Sequence, residues 1–411
     1  MTETFVIVGA GLAGGGAAAT LREEGFEGGV VLIGAEPQPP YERPPLSKEY
    51  LRSESSFEEA LVQAPDFYDE NGIETRFGVR ATRVDAADKA VELDGGERLV
   101  YDKLLVTTGG SNRRVPIPGI DLKGIYGLRT VADAECIRAE ISPGRKAVVV
   151  GMGFIGSEVA ASLRQSGVEV TVVDRNAVPL RRVLGEEVGR VIEGIHRDHG
   201  TSMIFQDTVA AFEGVGRVER VTTARGRSIE CDFAVVGLGV EPATELVAGA
   251  GVEIENGIMV DEYCRTNVEG IYAAGDVANH YHPVFGRHIR IEHWQNALKQ
   301  GPAAARSMLG EGGPYEEIPW FWSDQYEHNL QYAGFHTEWD ELVVRGSMEE
   351  RSFVAFYRKD GRVLAAVAID RGRDLRRSMP LIKAQEQVEA AMLRDLDIDL
   401  RTLAGAQKTH R

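Results

Sequence analysis

Two glycine-rich turns constrain the fold of this chain more than any other feature of its sequence. The first follows the apolar run 4–8 and the second follows the apolar run 147–150. After each turn comes a helix-like stretch and then a further predicted strand, which is the apolar run 30–33 in the first case and residues 168–173 in the second. A strand, a tight turn, a helix and a further strand, in that order, indicate a parallel doubly wound sheet.

Both turns have the spacing GxGxxG. The first has Gly9, Gly11 and Gly14, and the second has Gly151, Gly153 and Gly156. In this motif the first glycine permits the turn, the second lets a pyrophosphate approach the backbone, and the third lets the helix pack closely. The free N–H groups of the following helix favour phosphate. The sequence therefore predicts an α/β fold with two doubly wound, Rossmann-like nucleotide-binding domains.

Carboxylates near the ends of the following strands are candidate ribose ligands. Asp174 ends the strand after the second motif, where an acid accepts a hydrogen bond from a ribose 2′-OH and repels a 2′-phosphate. NAD is therefore favoured over NADP, although Arg175 follows immediately and softens that preference. After the first motif the nearest candidate is Glu36, which lies two residues past Gly34, where the strand ends, and is either a ribose ligand or a solvated loop residue.

A third candidate acid follows the apolar run 271–274. The run ends at Gly275-Asp276, and a helix is predicted to follow. Asp276 is then either a ligand of a sugar or ribityl hydroxyl or an ordinary helix N-cap.

Charge and cysteine content exclude several classes of protein. The chain has 46 basic and 63 acidic residues, for a formal charge of −17, which disfavours nucleic acid and an anionic membrane as partners. The apolar run 5–21 has no basic residue before it and is rich in glycine, so neither a signal peptide nor a membrane segment is expected.

The cysteines are far apart in sequence, which favours a reducing cytoplasm. Four histidines between 280 and 293 lack a convincing ligand spacing, and no metal site is expected.

The C-terminal part has a different character. From about residue 318 the sequence is rich in aromatic residues, and β-type runs at 341–345 and 351–369 follow. The second run is broken by Asp360-Gly361, a strong hairpin signal. A helical pattern is present near 381–393. These features predict a third, small α+β domain.

Taken together, the motifs resemble those of the NADH-dependent ferredoxin reductases of bacterial oxygenase systems, a branch of the glutathione-reductase-like flavoproteins. The resemblance extends from residue 5 to 326, and the C-terminal layout is similar. The matching segments are VGAGLAG, PYERPPLSK (40–48), LLVTTGG (104–110), VVGMGFIGSEVA (149–160), VGLGVEP (236–242), IYAAGDVA, IEHWQNALKQG (291–301) and PWFWSDQY (319–326).

The resemblance implies FAD at the first motif and NADH at the second. It places Arg43 and Lys48 along the FAD, with Lys48 near the isoalloxazine edge, and it places Glu158 against the nicotinamide. Lys48 and Glu158 are accordingly the expected catalytic residues, and we hypothesise that they form an ion pair. From the residues alone, Lys48 is a surface lysine and Glu158 a helix N-terminal carboxylate.

Other expected FAD contacts follow from the same resemblance. Asp276 corresponds to a ribityl ligand, and Thr108 and Gly109 form the turn that relatives build from Ala-Thr-Gly. Trp294 and Trp322 lie in segments that approach the flavin, and packing in the core or at a domain interface is their alternative role.

The expected domain organisation is an FAD-binding domain at 1–112 and 243–318, an NAD-binding domain at 113–242 and a C-terminal domain at 319–411. Disulfide reductases of this fold have a CxxxxC pair early in the FAD-binding domain, whereas this chain has no cysteine before Cys136. Electrons are therefore expected to leave the flavin edge directly.

By resemblance the acceptor is an acidic [2Fe–2S] ferredoxin, which passes electrons on to a terminal oxygenase. The basic cluster of Arg371, Arg373, Arg376, Arg377 and Lys383 is either its docking surface or simply solvated, and Arg287 and Arg290 are a second candidate surface. Two other functions stay open from the sequence. One is an NADH oxidoreductase for a small acceptor such as a quinone or monodehydroascorbate. The other is a redox-responsive binding flavoprotein like the relatives of apoptosis-inducing factor.

Overall fold

A computed structural model describes residues 3–404 of the 411-residue chain. The α-helices in chain order are α1 (Leu12–Glu23), α2 (Phe67–Glu70), α3 (Val131–Arg138), α4 (Phe154–Gln165), α5 (Arg181–Asp198), α6 (Trp294–Met308), α7 (Gly372–Ala384) and α8 (Ala390–Arg394). Short 3₁₀ turns cover Pro44–Ser47, Glu58–Ala60, Glu245–Val247, Gly275–Val277 and Leu400–Thr402.

The strands up to residue 242 are β1 (Thr4–Val8), β2 (Gly29–Gly34), β3 (Ile73–Phe77), β4 (Ala81–Asp85), β5 (Ala90–Leu93), β6 (Arg98–Val100), β7 (Lys103–Val106), β8 (Gly110–Asn112), β9 (Ile125–Tyr126), β10 (Lys146–Val150), β11 (Glu169–Asp174), β12 (Ser202–Phe205), β13 (Val209–Glu213), β14 (Arg220–Thr223), β15 (Ser228–Glu230), β16 (Phe233–Val236) and β17 (Val240–Pro242). The later strands are β18 (Ile258–Val260), β19 (Ile271–Ala273), β20 (Ala278–His282), β21 (Arg287–Arg290), β22 (Trp320–Gln325), β23 (His328–Gly334), β24 (Glu341–Ser347), β25 (Ser352–Lys359) and β26 (Arg362–Ile369).

The chain divides into two compact units, each built from several segments. The first unit comprises Met1–Glu42, Phe57–Ser111 and Glu241–Trp320, and the second comprises Arg43–Ser56, Asn112–Val240 and Phe321–Arg411. The division into three domains, with the boundaries expected from the sequence, stays a prediction.

In the first unit a five-stranded sheet has the order β3-β2-β1-β7-β19, with every neighbouring pair parallel. Strands β1, β2, β7 and β19 are largely apolar because both faces of the sheet are covered, whereas the edge strand β3 also carries Glu74 and Arg76. Phe5 and Ile7 point into one core, and Val6 and Val8 point into the other. The first glycine motif connects the central strand β1 to α1, as the sequence pattern predicts.

The second unit repeats this arrangement. Its parallel sheet has the order β12-β11-β10-β16-β9, and the second glycine motif connects the central strand β10 to α4. The prediction of two doubly wound sheets is thereby confirmed. In each sheet the motif strand has the next strand of the chain on one side and a later strand on the other, so a switch point lies beside each glycine turn.

The C-terminal part of the second unit is a five-stranded sheet with the order β22-β23-β26-β25-β24, and α7 packs against it. Asp360 and Gly361 have φ values of +50° and +76°, as the predicted tight hairpin between β25 and β26 requires. The helical pattern near 381–393 is not one helix. Gln385 adopts a left-handed conformation that ends α7, and α8 begins at Ala390.

Across residues 3–404, no helix combines the length and the apolar character needed to cross a membrane.

In the first unit, α1 and α6 cross at very short range. A Cβ added to Gly301 of α6 would lie 2.1 Å from the carbonyl oxygen of Ala13 in α1, a distance that no side chain tolerates. At Gly16 of α1, in contrast, an added Cβ would meet Pro302 Cδ at an ordinary 3.5 Å. The crossing of these two helices therefore depends on one glycine and not on the other.

We expect Gly301→Ala to destabilise the protein by about 2–3 kcal/mol, because the helices must move apart. The matched variant Gly16→Ala is expected to be neutral or stabilising by up to about 1 kcal/mol, because alanine favours a helix over glycine. Thermal unfolding followed by circular dichroism measures both effects. Equal midpoints for the two variants would contradict the assignment of the close contact.

Candidate active site

The three glycines of the first motif differ in what surrounds them. Gly9 has φ +118°, and an added Cβ would lie 2.2 Å from Thr107 O. An added Cβ on Gly14 would lie 1.9 Å from Gly9 O. Gly11 has φ −92° and no atom within 4 Å of its Cβ position. The protein's own packing thus explains the first and third glycines but not the second.

The second motif repeats this pattern. Gly151 has φ +93° and would place a Cβ 2.5 Å from Gly237 O, while Gly156 would place one 2.0 Å from Gly151 O. Gly153 has nothing within 4 Å. In both motifs the middle glycine keeps a space open directly at the start of a helix. A pyrophosphate that approaches the backbone needs this space, so both turns fit a dinucleotide.

Around the first turn, side chains fix the ends of neighbouring strands. Thr107 Oγ1 donates to Gly9 O at 2.8 Å, and Thr108 Oγ1 donates to Ala243 O at 2.6 Å. Gly109 has φ +68°, which suits the expected turn.

The two acids near this turn differ in their surroundings. Glu36 is half-buried just beyond β2 and accepts a hydrogen bond from Tyr41 OH at 2.5 Å, so it is not simply a solvated loop residue. Asp276 is half-buried in the 3₁₀ turn 275–277, and β20 follows directly. The helix predicted after Asp276 is therefore wrong, and an α-helix N-cap role does not apply to this residue.

Gln300 is a neighbour of this region that the sequence reasoning missed. It is fully buried in α6, the helix that begins at Trp294, and its Oε1 accepts from Gly275 N at 2.9 Å and from Asn296 Nδ2 at 3.2 Å. Gln300 Nε2 has no hydrogen-bond partner among the described residues. A buried donor without a partner is rare, so Gln300 is a candidate contact for a bound ligand. A fully buried glutamine in a largely small-residue helix is visible only in the structure.

Asp174 is held against the second turn. It is only 7% exposed, and its carboxylate accepts from Met152 N at 2.6 Å, from Asn176 N at 2.6 Å and from Asn176 Nδ2 at 2.9 Å. A carboxylate has about four acceptor positions, so one is left for a ribose hydroxyl. The exposed Arg175 lies next to it in the chain.

Lys48 and Glu158 form the hypothesised ion pair, within the second unit. Lys48 Nζ lies 2.8 Å from Glu158 Oε2, and the two side chains are 7% and 5% exposed. Lys48 is therefore not a surface lysine. Lys48 Nζ also donates to Pro44 O at 3.2 Å, within the 3₁₀ turn that precedes it.

Two serines complete the surroundings of the Glu158 carboxylate. Ser47 Oγ donates to Oε2 at 2.5 Å, and Ser323 Oγ donates to Oε1 at 2.7 Å. Ser162, one turn after Glu158 in α4, donates to Ser47 O at 2.7 Å and so ties the Lys48 segment to this helix. A buried ion pair is tolerable only when further hydrogen bonds satisfy its remaining atoms, and these serines do so.

Ser323 lies in the aromatic segment 319–326, in which the resemblance predicts a flavin contact for Trp322 only. In β22, Phe321, Ser323 and Gln325 are buried, whereas Trp322 and Asp324 alternate with them and are more exposed. Period-two alternation is the signal that places Ser323 and Gln325 on the inner face. Trp322 is thus half-buried on the opposite face of the strand.

Arg43, the other basic residue of the Lys48 segment, is half-buried and donates to Arg129 O.

The cysteines offer no redox pair. Cys231 and Cys264 are buried and free, and Cys136 is exposed and free. Burial raises the pKa of Cys231 to about 12 and raises that of Cys264 as well. Because the thiolate is the reactive form of cysteine, the two buried thiols are inert at neutral pH.

Comparison with known proteins assigns the chain to a family. The family described as pyridine nucleotide-disulphide oxidoreductase matches residues 3–301, and the family described as reductase C-terminal matches residues 320–404. The chain belongs to the pyridine nucleotide-disulphide oxidoreductase family. The prediction of an α/β fold with a small C-terminal domain agrees with this result.

Several relatives are similar over their whole length. Rhodocoxin reductase of Rhodococcus erythropolis is 37% identical, covering 99% of this chain and 96% of that protein. The ferredoxin–NAD(+) reductase component of the anthranilate 1,2-dioxygenase system of Burkholderia cepacia is 40% identical, covering 97% and 99%. Among solved structures, the covalent putidaredoxin reductase–putidaredoxin complex matches with a TM-score of 0.96 and 34% identity, covering 99% of both chains.

We expect Glu158→Gln to lower the free energy of unfolding by about 3 kcal/mol, because it leaves the Lys48 charge buried without its partner. Adding Lys48→Met to Glu158→Gln should recover most of that loss, because the unpaired charge is then removed. Urea unfolding of the wild type, of the single variants Glu158→Gln and Lys48→Met and of the double variant measures the coupling.

The exposed pair Glu186–Arg190 in α5 supplies the control. Glu186→Gln should change the free energy of unfolding by less than about 1 kcal/mol. Losses at Lys48 and Glu158 that simply add would show that the pair is not coupled.

Proposed function

We propose that this protein is an NADH-dependent ferredoxin reductase. It takes electrons from NADH and passes them by way of bound FAD to a [2Fe–2S] ferredoxin, which supplies a Rieske dioxygenase or a cytochrome P450. The observation that carries the proposal is the full-length similarity to ferredoxin–NAD(+) reductase components and to a reductase solved together with putidaredoxin.

FAD is assigned to the first glycine turn and NADH to the second. The open spaces at Gly11 and Gly153 support both assignments, and the single acceptor position left on Asp174 supports NADH over NADPH. The residues proposed to hold FAD in the first unit are Gly9, Gly11, Gly14, Glu36, Thr108, Gly109, Asp276 and Trp294, to which we add Gln300. Arg43, Lys48 and Trp322 remain proposed FAD contacts by resemblance. Gly151, Gly153, Gly156, Glu158 and Asp174 are proposed to hold NADH.

When bound, FAD supplies the conversion of a two-electron hydride into single electrons, which suits an iron–sulfur acceptor. The protein's contribution is to orient the reacting groups and to set the charge around them. Lys48 and Glu158 are the residues to which we assign that catalytic role. Their ion pair, which carries no net charge, places a hydrogen-bond donor and an acceptor where both side chains are buried.

The proposed place of action is the cytoplasm. All three cysteines are free, although a chain that passes through an oxidising compartment commonly pairs them.

Mutation of the middle glycine of each motif tests separately the assignment of FAD to the first turn and of NADH to the second. Gly11→Ala should weaken FAD binding by at least about tenfold, since 1.4 kcal/mol of lost affinity is enough for that change. It should leave folding nearly intact, because the new methyl group meets no protein atom. Gly153→Ala should do the same to NAD⁺ while retaining FAD.

The flavin-to-protein absorbance ratio of the purified variants and calorimetric titration with NAD⁺ measure the two affinities. Each variant is the control for the other, since each should lose only one ligand. Full retention of FAD by Gly11→Ala would refute the assignment of the first turn.

The function itself is tested by anaerobic stopped-flow spectroscopy of the FAD-loaded protein. NADH should bleach the flavin absorbance at a rate within the roughly 1–1,000 s⁻¹ typical of enzymes, and NADPH should do so more slowly. A [2Fe–2S] ferredoxin added next should restore the absorbance rapidly.

The other outcomes distinguish the alternatives. Fast bleaching by NADH with no response to any ferredoxin, but turnover with a quinone or monodehydroascorbate, would replace the proposal with a small-molecule reductase. Very slow bleaching would favour a redox-responsive binding protein.

A further inference from the structure

Glu158 stands at one end of a chain of buried hydrogen bonds in the second unit. Ser323 Oγ donates to Glu158 Oε1 at 2.7 Å, and Gln325 Nε2 donates to Ser323 Oγ at 3.1 Å. His196 Nε2, on α5, lies 3.0 Å from Gln325 Oε1. Ser323, Gln325 and His196 are at most 2% exposed, so water does not compete for these bonds.

The other end of the chain approaches the surface at Tyr326. Its hydroxyl lies 3.3 Å from His196 Nδ1 and 3.1 Å from Thr201 Oγ1. The ring of His199 stacks on Tyr326 with 3.7 Å between ring centroids, and His199 Nε2 lies 3.0 Å from Glu327 Oε2. Tyr326 is thus the last residue of the buried hydrogen-bond chain.

The chemistry of each group gives the chain a direction. Because Gln325 uses its nitrogen toward Ser323, its Oε1 faces His196 and can only accept. His196 must therefore carry a hydrogen on Nε2, which leaves Nδ1 to accept from the Tyr326 hydroxyl. Burial lowers the pKa of His196 to about 4, against the opposing effect of its hydrogen bond with Gln325, so the ring is neutral and has one hydrogen to place. The hydroxyl of Tyr326, Nε2 of His196, Nε2 of Gln325 and the hydroxyl of Ser323 then each donate to the next group in the direction of Glu158.

We propose that His196 and Gln325 are positioning residues for Glu158. They hold the Ser323 hydroxyl on one carboxylate oxygen, so that the other oxygen faces Lys48. The proposal deepens the proposed function and rests on it, because Glu158 is assigned to the hydride transfer from NADH. A serine hydroxyl rotates freely, and within residues 3–404 it is Gln325 that donates a hydrogen bond to Ser323 Oγ. The orientation of Gln325 in turn depends on the single hydrogen of His196. Hydrogen bonds aligned in one direction also strengthen one another.

The first experiment determines which nitrogen of His196 carries the hydrogen, by long-range ¹H–¹⁵N NMR of the wild-type, FAD-loaded protein. The expected result is the Nε2–H form. An Nδ1–H form, or exchange between the two forms, would overturn the proposal. This measurement needs no substitution at the site and no turnover.

The second experiment measures flavin reduction at several NADH concentrations, which separates the limiting rate from the Kd of NADH. His196→Leu should lower the limiting rate about tenfold and leave the Kd within about twofold, because the residue acts on the reacting geometry. His196→Gln should restore most of the rate, because the glutamine amide places a donor near the position of Nε2.

A matched control is His336→Leu. His336 is another histidine of the second unit, half-buried rather than fully buried like His196. Its Nδ1 lies 2.7 Å from Tyr332 OH and its ring stacks on Tyr357, but it is not a member of the hydrogen-bond chain that ends at Glu158. Its loss should leave the limiting rate unchanged. Gln325→Leu, which breaks two bonds of the chain at once, supplies the test if His196→Leu does not fold.

The outcomes separate this proposal from the proposed function. Reduction of the wild type by NADH, with equal limiting rates for wild type, His196→Leu and Gln325→Leu, would overturn only the positioning role. If NADH does not reduce the wild type, the proposed function fails, and the role assigned to Glu158 fails with it.

Discussion

In both units a helix begins so close to the preceding strand that the backbone has no room for a side chain. The Cβ that any other residue would add at Gly14 or Gly156 would lie 1.9 or 2.0 Å from a carbonyl oxygen, far closer than non-bonded atoms approach. This constraint fixes the start of α1 and of α4 against their sheets. It also aims the unpaired N–H groups of each helix at the space beside the middle glycine. The ligand-binding geometry is therefore a consequence of backbone packing.

The buried pair of Lys48 and Glu158 is a second constraint, and it explains how the chain is divided. Residues 43–56 lie between two segments of the first unit in sequence, yet they belong to the second unit. A charged pair removed from water is strongly destabilising unless both members and their hydrogen bonds are present. Ser47 and Ser323 supply those bonds to the Glu158 carboxylate, and Ser162 donates to the backbone carbonyl of Ser47. Together these contacts hold residues 43–56 in the second unit.

The two parallel sheets could be predicted from the sequence because their signal is local. Strand, glycine turn and helix are consecutive, and the spacing of the glycines follows from contacts within a few residues. The Asp-Gly hairpin is local in the same sense. The helix expected after Asp276 was wrong because a GD turn after an apolar run suits a 3₁₀ turn and a strand equally well. The division of residues 372–394 into two helices is not predicted, because the left-handed conformation of Gln385 that ends α7 has no clear sequence signal.

The candidate site was predicted unevenly for the same reason. The hypothesis that Lys48 pairs with Glu158 came from family resemblance, since 110 positions separate the two residues and no local pattern joins them. Ser323, Gln325 and His196 were missed because each is an ordinary polar residue until the fold buries it. Alternation along β22 could have placed Ser323 and Gln325 on an inner face. Nothing in the sequence could have shown that the inner face meets Glu158.

The family takes its name from disulphide chemistry, but the thiols of this chain are not suited to carry electrons away from a cofactor. Exchange between thiols needs a thiolate beside a partner sulfur, and here burial raises the pKa of Cys231 and Cys264, while Cys136 stands exposed on α3. What the site offers in place of sulfur is a fixed carboxylate and ammonium pair. Such a pair can hydrogen-bond and stabilise charge, but it stores no electrons. Under the proposed function, the electrons of NADH must therefore leave the cofactor for an external acceptor.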